Sequence, residues 1–146
     1  MRAIVDIEVP FEPRRCFEFF SDVEAIPRWV PEVKSVEIKE TDGEGRPRHV
    51  EYRTVPGTDG EAVRYVMAYV YEEDPLAIEW FPRTGHDVAV NGHAVFSPIQ
   101  GGCRITYVLA PGRERPERVD DRAELKAQAK ATLNRFAAEL EKTAGA

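Results

Sequence analysis

A chain of 146 residues, 42% of them hydrophobic, has the size of one ordinary domain, which buries roughly 68–70% of the surface its unfolded form exposes. Lys and Arg number 20 against 26 Asp and Glu, a formal net charge of −6 that argues against general affinity for nucleic acid or anionic lipid. Cys16 and Cys103 are the only cysteines, far apart in sequence and without histidine at metal-ligand spacing, so neither a disulfide framework nor a zinc site is expected and both read as small buried residues.

The first residues, MRAIVDIEVP, carry acids and already alternate, which is unlike a secretory signal. No apolar run approaches the roughly 20 residues of a membrane span, so the expectation is a cytoplasmic protein with no integral membrane association. With no repeat, low-complexity tract or linker, residues 1–146 read as one domain. Ala3, Val5, Ile7 and Val9 alternate with Arg2, Ile4, Asp6 and Glu8, the period of a half-buried strand that stops at Pro10. Pro13 suits the first turn of a short helix whose aromatic side carries Phe17, Phe19 and Phe20. Ser21 or Asp22 can cap a second short helix, which Pro27 and Pro31 should end; Trp29 sits between those prolines.

From Val33 onward six strands are expected, separated by turn residues. Val36 and Ile38 lead to Asp42-Gly43-Glu44-Gly45, and Val50, Tyr52 and Thr54 lead to the turn at 56–60. Tyr65, Met67, Tyr69 and Tyr71 run to Asp74-Pro75, Ile78 and Trp80 to Thr84-Gly85, residues 88–96 to Gln100-Gly101-Gly102, and Ile105, Tyr107 and Leu109 to Pro111-Gly112. Each break holds glycine or proline where a tight reversal needs them, so the six strands form an antiparallel meander. Asn91-Gly92 is by local chemistry a strong hairpin signal. It would leave arms of about four residues, below the usual length, so 88–96 reads as one strand with a glycine bulge or bend. After the joining segment PGRERPER at 111–118, residues from Pro116 to Thr143 form one long helix. Leu125, Ala129, Leu133, Phe136 and Leu140 share its core stripe, Asp120, Asp121 and Lys142 suit its dipole, and its length should lay it across several strands.

Two stretches carry a family resemblance. FEFFSDVEAIPRWVPEVKSVEI, residues 17–38, and NGHAVFSPIQGGCRIT, residues 91–106, are similar to segments of the SRPBCC or START-like (helix-grip) superfamily, in its polyketide cyclase/dehydrase and coenzyme-Q-binding-protein-like branch. The resemblance implies an α+β fold of order β-α-α-β6-α, a curved seven-stranded antiparallel sheet wrapped around the long C-terminal helix. It also implies a hydrophobic small molecule as partner, such as a lipid, quinone or polyketide, held between sheet and helix. Ala94 stands where the family often carries Trp, and Cys103 where it often has Thr, which implies a wider pocket there.

On the pleat read above, Tyr52, Tyr65, Met67, Tyr69, Trp80, Phe96 and Tyr107 line that cavity with Leu133 and Phe136, and Trp29 joins them as a ligand-binding candidate. A slip of one residue on the fourth strand would instead turn Val66, Ala68 and Val70 inward, with Arg64 and Glu72 at the ends; the tyrosine set is preferred. A solid aromatic core is the alternative to a cavity. No catalytic residue, metal ligand or cofactor site is assigned. His49, His86 and His93 match no nucleophile or metal motif and read as surface residues, with Asp87 beside His86 a weak exception. Arg122, Lys126 and Lys130 form a basic stripe that reads as a solvated helix face. The leading reading is binding or transport of a hydrophobic or aromatic molecule. The alternatives are a polyketide cyclase, aromatase or dehydratase in the same cavity, using Tyr65, Tyr107 or Arg64 to polarise a carbonyl, and a protein-interaction module of co-chaperone type. No nucleic-acid partner is expected, and a homodimer is left open.

Overall fold

The computed structural model describes residues 2–54, 62–83, 91–110 and 119–144. The expected turns at 56–60, 84–85 and 111–112, His86, Asp87, residues 88–90, the joining segment at 111–118 and the helical residues 116–118 lie outside these, as do the side chains of Asp120, Asp121 and Arg122. In chain order come β1 (Ala3–Val9), α1 (Pro13–Ser21), a 3₁₀ helix (Val23–Arg28), β2 (Val33–Thr41), β3 (Pro47–Thr54), β4 (Arg64–Glu73), β5 (Leu76–Pro82), β6 (Asn91–Ile99), β7 (Gly102–Ala110) and α2 (Val119–Ala144). The seven strands form one antiparallel sheet in the order β1-β7-β6-β5-β4-β3-β2. β2 to β7 are a meander, and β1 closes on β7, so the first and last strands are neighbours. This is the α+β helix-grip arrangement that the resemblance implies.

Alternation sets the two faces of the sheet. Along β4, Met67 is buried while Val70, on the opposite face, is 46% exposed. The β2–β3 hairpin turns at Asp42, whose Oδ1 accepts the backbone N–H groups of Glu44 and Arg46, each at 2.9 Å. Gly45 completes the turn with φ +82°, a conformation glycine adopts without steric penalty. Asn91-Gly92 is not a reversal. It opens β6, and the register against β7 runs unbroken from Asn91↔Ala110 through Gly92↔Leu109 to Ile99↔Gly102, so the expected bulge is absent as well. Gly92 is there for close approach, because a Cβ at this position would lie 2.4 Å from the Trp80 ring and 2.8 Å from the Val108 carbonyl oxygen.

The helices share the concave face in a way the stripe on α2 does not reveal. Leu125, Ala129, Leu133, Phe136 and Leu140 are all buried, and the α2 backbone comes nearest to β1 and β7. Lys130 of its exposed side donates to the Asp6 carbonyl at 2.8 Å. α1 occupies the middle of the sheet, over β5, β6 and β7, and the 3₁₀ helix lies against β2. Pro27 falls inside the 3₁₀ helix, which ends one residue later. Asp22 takes its N-cap position without a side-chain cap bond, and the Ser21 hydroxyl donates instead to the Glu18 carbonyl at 2.9 Å.

Polar side chains of the strands pair with one another and with α1 and the β2–β3 turn. Arg104 meets Glu8 at 2.7 Å, and His49 meets Glu40 at 2.8 Å. Glu73 accepts from Arg14 at 2.7 Å and also from Arg46. Cys16 and Cys103, distant in sequence, are free and fully buried; the Cys16 thiol donates to the Phe11 carbonyl at 4.0 Å and the Cys103 thiol to the Arg104 carbonyl at 3.5 Å. The neighbouring Cys103 thiol and burial push the Cys16 thiol pKa up.

Candidate functional site

Phe20 on the inward side of α1 is the hub around which the site is built. Its ring centroid lies 5.3 Å from Trp29, 5.4 Å from Trp80, 5.7 Å from Phe96, 5.4 Å from Phe136 and 6.3 Å from Tyr107. Aromatic side chains are large and rigid, and tilted or edge-to-face pairs at such spacings are favourable beyond the area they bury. Rings that meet around one hub fill the space on the α2 side and leave an opening on the other. There a cavity of about 150 Å³ remains.

Its roof is Phe20 from α1, Ile26 from the 3₁₀ helix, and Trp29, Val30 and Val33 from the segment that enters β2. Its floor is Tyr52 from β3, Tyr65, Met67 and Tyr69 from β4, Trp80 from β5, and Tyr107 and Leu109 from β7. Of the residues expected to line a pocket, Trp29, Tyr52, Tyr65, Met67, Tyr69, Trp80 and Tyr107 do so. Phe96, Leu133 and Phe136 do not. Phe96 stands edge-on to Phe17 and Phe20, Phe136 packs on Phe19, Phe20 and Trp29, and Leu133 is wholly buried. None of the described α2 residues reaches the wall. The cavity lies beneath the two short helices and not under the C-terminal one, because the phenylalanines of α1 occupy the space there.

Phe20, Ile26, Val30, Val33 and Leu109 complete the wall beyond the residues expected from sequence. Phe20 and Leu109 showed only as inward members of their elements, and no local signal marks Ile26, Val30 or Val33 as roof. Ala94 and Cys103 are fully buried but neither borders the cavity, so no widening arises from them. Arg64 is exposed and outside the wall. His93 is half-buried and pairs in register with Glu79 and Val108, away from the cavity face.

Among the described residues the wall carries no charged side chain. Its polar groups are phenols and indoles. The Tyr52 and Tyr69 hydroxyls hydrogen-bond to each other. Burial is the first cause that pushes the pKa of Tyr52, Tyr65, Tyr69 and Tyr107 above the usual phenol value. The nearby exposed Glu32 raises Tyr65 and Tyr107 further. All four are therefore protonated at neutral pH and able to donate. Trp29 is held from both sides: its ring packs on Phe20 and Phe136, and its carbonyl accepts from Arg135 Nε of α2 at 3.0 Å. Its indole Nε1 is buried with no hydrogen-bond partner among the described residues. Among the described residues no group of three His, Cys, Asp or Glu could hold a metal ion, and no helix is long and apolar enough to cross a membrane.

A seven-stranded sheet closed by helices around an aromatic cavity defines a helix-grip protein with room for a small molecule. The polyketide cyclase / dehydrase and lipid transport family matches residues 2–144, and the chain belongs to that family. Solved structures share the fold at low identity. A START superfamily protein from Mycobacterium smegmatis superposes with a TM-score of 0.80 at 16% identity, over 97% of this chain and 98% of its own. A protein from Thermus thermophilus gives 0.74 at 19%, over 98% and 99%. The Zhui aromatase/cyclase from Streptomyces sp. R1128 gives 0.70 at 18%, over 97% and 94%. No curated protein matches the chain.

Proposed function

We propose that the chain binds a hydrophobic or aromatic small molecule in the cavity beneath α1 and the 3₁₀ helix. The observation that carries this reading is the wall: among the described residues, aromatic and aliphatic side chains with a few phenol and indole donors, no charge, and empty space between them. Such a wall is the usual make-up of a small-molecule site, and apolar surface removed from water is worth about 25 cal/mol per Å². The family's description, which joins cyclases and dehydrases with lipid transport, and the aromatase/cyclase neighbour support the same reading. The cyclase alternative has less behind it. The described wall offers protonated phenols that could polarise a carbonyl, but no carboxylate or imidazole to remove a proton.

Both tryptophans of the chain, Trp29 and Trp80, stand in this wall, so intrinsic tryptophan emission reports on the cavity directly. Titration with ethylbenzene and with acetophenone should give a saturable change in emission. Absence of a saturable response to either compound would overturn the proposal.

A further inference from the structure

We infer that the hydroxyl pair of Tyr52 and Tyr69 is the polar anchor of the cavity: Tyr52 donates to Tyr69, and Tyr69 donates in turn to a carbonyl oxygen of the bound molecule. The inference rests on the cavity being the binding site and adds the group that holds its occupant. Three observations carry it.

The first is placement. Val50 pairs in register with Met67, and Tyr52 with Tyr65, so Tyr52 and Tyr69 stand on either side of the Val50–Met67 pair, all on the concave face. Their hydroxyls meet above that pair, and Tyr52, Met67 and Tyr69 border the cavity. Tyr52 is buried and Tyr69 half-buried. Tyr69 projects on the side of β4 opposite Val70, so the surface it keeps is turned to the concavity.

The second is a proton count. A phenol has one proton to donate. Two phenols bonded to each other use one proton between them, and the second goes to an acceptor outside the pair. Against the larger effect of burial, which lifts both, the bond itself raises the Tyr52 pKa and lowers that of Tyr69. That is how a donor phenol and an acceptor phenol differ, because donating favours the neutral form and accepting favours the anion. The proton left over is therefore that of Tyr69, the more exposed of the two. A donor whose oxygen already accepts is polarised and strengthened, and in an apolar wall leaving it without an acceptor is unfavourable. A carbonyl oxygen satisfies it and brings no proton of its own that the wall would have to bond.

The third is the contrast with the other phenols of the wall. Glu32, exposed in the segment entering β2, raises the pKa of both Tyr65 and Tyr107, so their protons have a hydrated carboxylate nearby. The described groups that act on Tyr52 and Tyr69 are other tyrosines. The Tyr52 ring is packed against Tyr65 at 5.6 Å between centroids, which fixes the pair from the β3 side.

The experiment uses the full chain with ethylbenzene and with acetophenone carrying ¹³C at its carbonyl. Affinities come from calorimetry and the carbonyl stretch from infrared difference spectra. Acetophenone should bind about tenfold more tightly than ethylbenzene, the upper range for one neutral hydrogen bond, and its bound carbonyl should absorb at lower wavenumber than in hexane. Tyr69→Phe should bring the affinity ratio to about one and remove the infrared shift. Tyr52→Phe leaves the Tyr69 proton in place and should lower the ratio to about threefold with the shift retained. Tyr71→Phe is the control and should keep both, since its hydroxyl donates to the Pro47 carbonyl at 2.6 Å, away from the wall. If Tyr69→Phe does not fold, Tyr52→Phe and Tyr107→Phe decide: the shift survives in both, and its loss in either overturns Tyr69 as the donor. A Tyr69→Phe protein that keeps ratio and shift overturns the inference, and so does equal binding of the two compounds with an unshifted carbonyl; each leaves the binding function standing. Saturable binding of neither compound overturns the inference together with the function on which it rests.

Discussion

Replacing Gly92 by alanine tests the packing that shapes the cavity floor. Taken alone, Gly→Ala in a strand should stabilise by about 0.5–1 kcal/mol, because glycine loses more conformational freedom on folding. The structure reverses the sign. The new Cβ would lie 2.4 and 2.6 Å from two atoms of the Trp80 ring and 2.8 Å from the Val108 carbonyl oxygen. The ring has neighbours of its own, with Phe20 at 5.4 Å and Tyr107 at 5.6 Å between centroids. The carbonyl belongs to the β6–β7 ladder and moves only if the register opens. Overpacking of this kind costs about 1–3 kcal/mol, and at about 2–4 °C per kcal/mol for a chain near this size Gly92→Ala should melt roughly 2–12 °C lower. The easiest relief is for Trp80 to tip into the cavity, so ethylbenzene affinity and tryptophan emission should change as well. Gly43→Ala is the control, since a Cβ there meets nothing within 4 Å. Thermal melts of both variants followed by circular dichroism decide the matter: a Gly92→Ala protein as stable as its parent, with unaltered emission, refutes the reasoning.

Two further outcomes follow from the charged and phenolic groups. Glu73, bonded to Arg14 and Arg46, has its pKa lowered to about 2. A carboxylate whose folded pKa is depressed contributes stability above its ordinary value of 4.5, and that stability is lost as pH falls through about 2. Glu73→Gln should therefore melt below the parent at pH 7, with the gap closing toward pH 2; a gap that stays constant across this range contradicts the assignment. All five tyrosines have raised pKa values, with burial as the first cause. A phenol raised on folding contributes stability below the unfolded value of 10 that is lost as pH rises through the folded value. Phenolate absorbance should accordingly appear in one cooperative step with alkaline unfolding, and two or more tyrosines titrating independently near pH 10 in the native protein would contradict the buried cluster.

Much of this fold is readable residue by residue. Ala3, Val5 and Val9, like Met67 on β4, declare their face through a period of two, and Leu125 to Leu140 through a period of 3.6. The glycine and proline breaks mark the β2–β3 and β4–β5 turns, and the aromatic side of RRCFEFFSD marks the buried side of α1. Local chemistry taken alone would mislead at Asn91-Gly92, where strand length argues correctly for one strand. The dipeptide fits a reversal, yet Gly92 is needed because Trp80 lies against it from a neighbouring strand, a contact that no window of sequence contains.

The alternation of side chains therefore determined, from sequence alone, which residues of each strand face inward, and with them most of the cavity floor. Tertiary structure alone decided the roof. Periodicity assigns a residue to a face of its own element but does not say which helix covers which strand. That depends on how the rings of Phe17, Phe19 and Phe20 fill the concavity first, leaving α2 to β1 and β7 and the open space to Ile26, Trp29 and Val33. The meeting of Cys16 with Cys103 and the burial of the Trp29 indole arise in the same way, from close packing between segments distant in sequence.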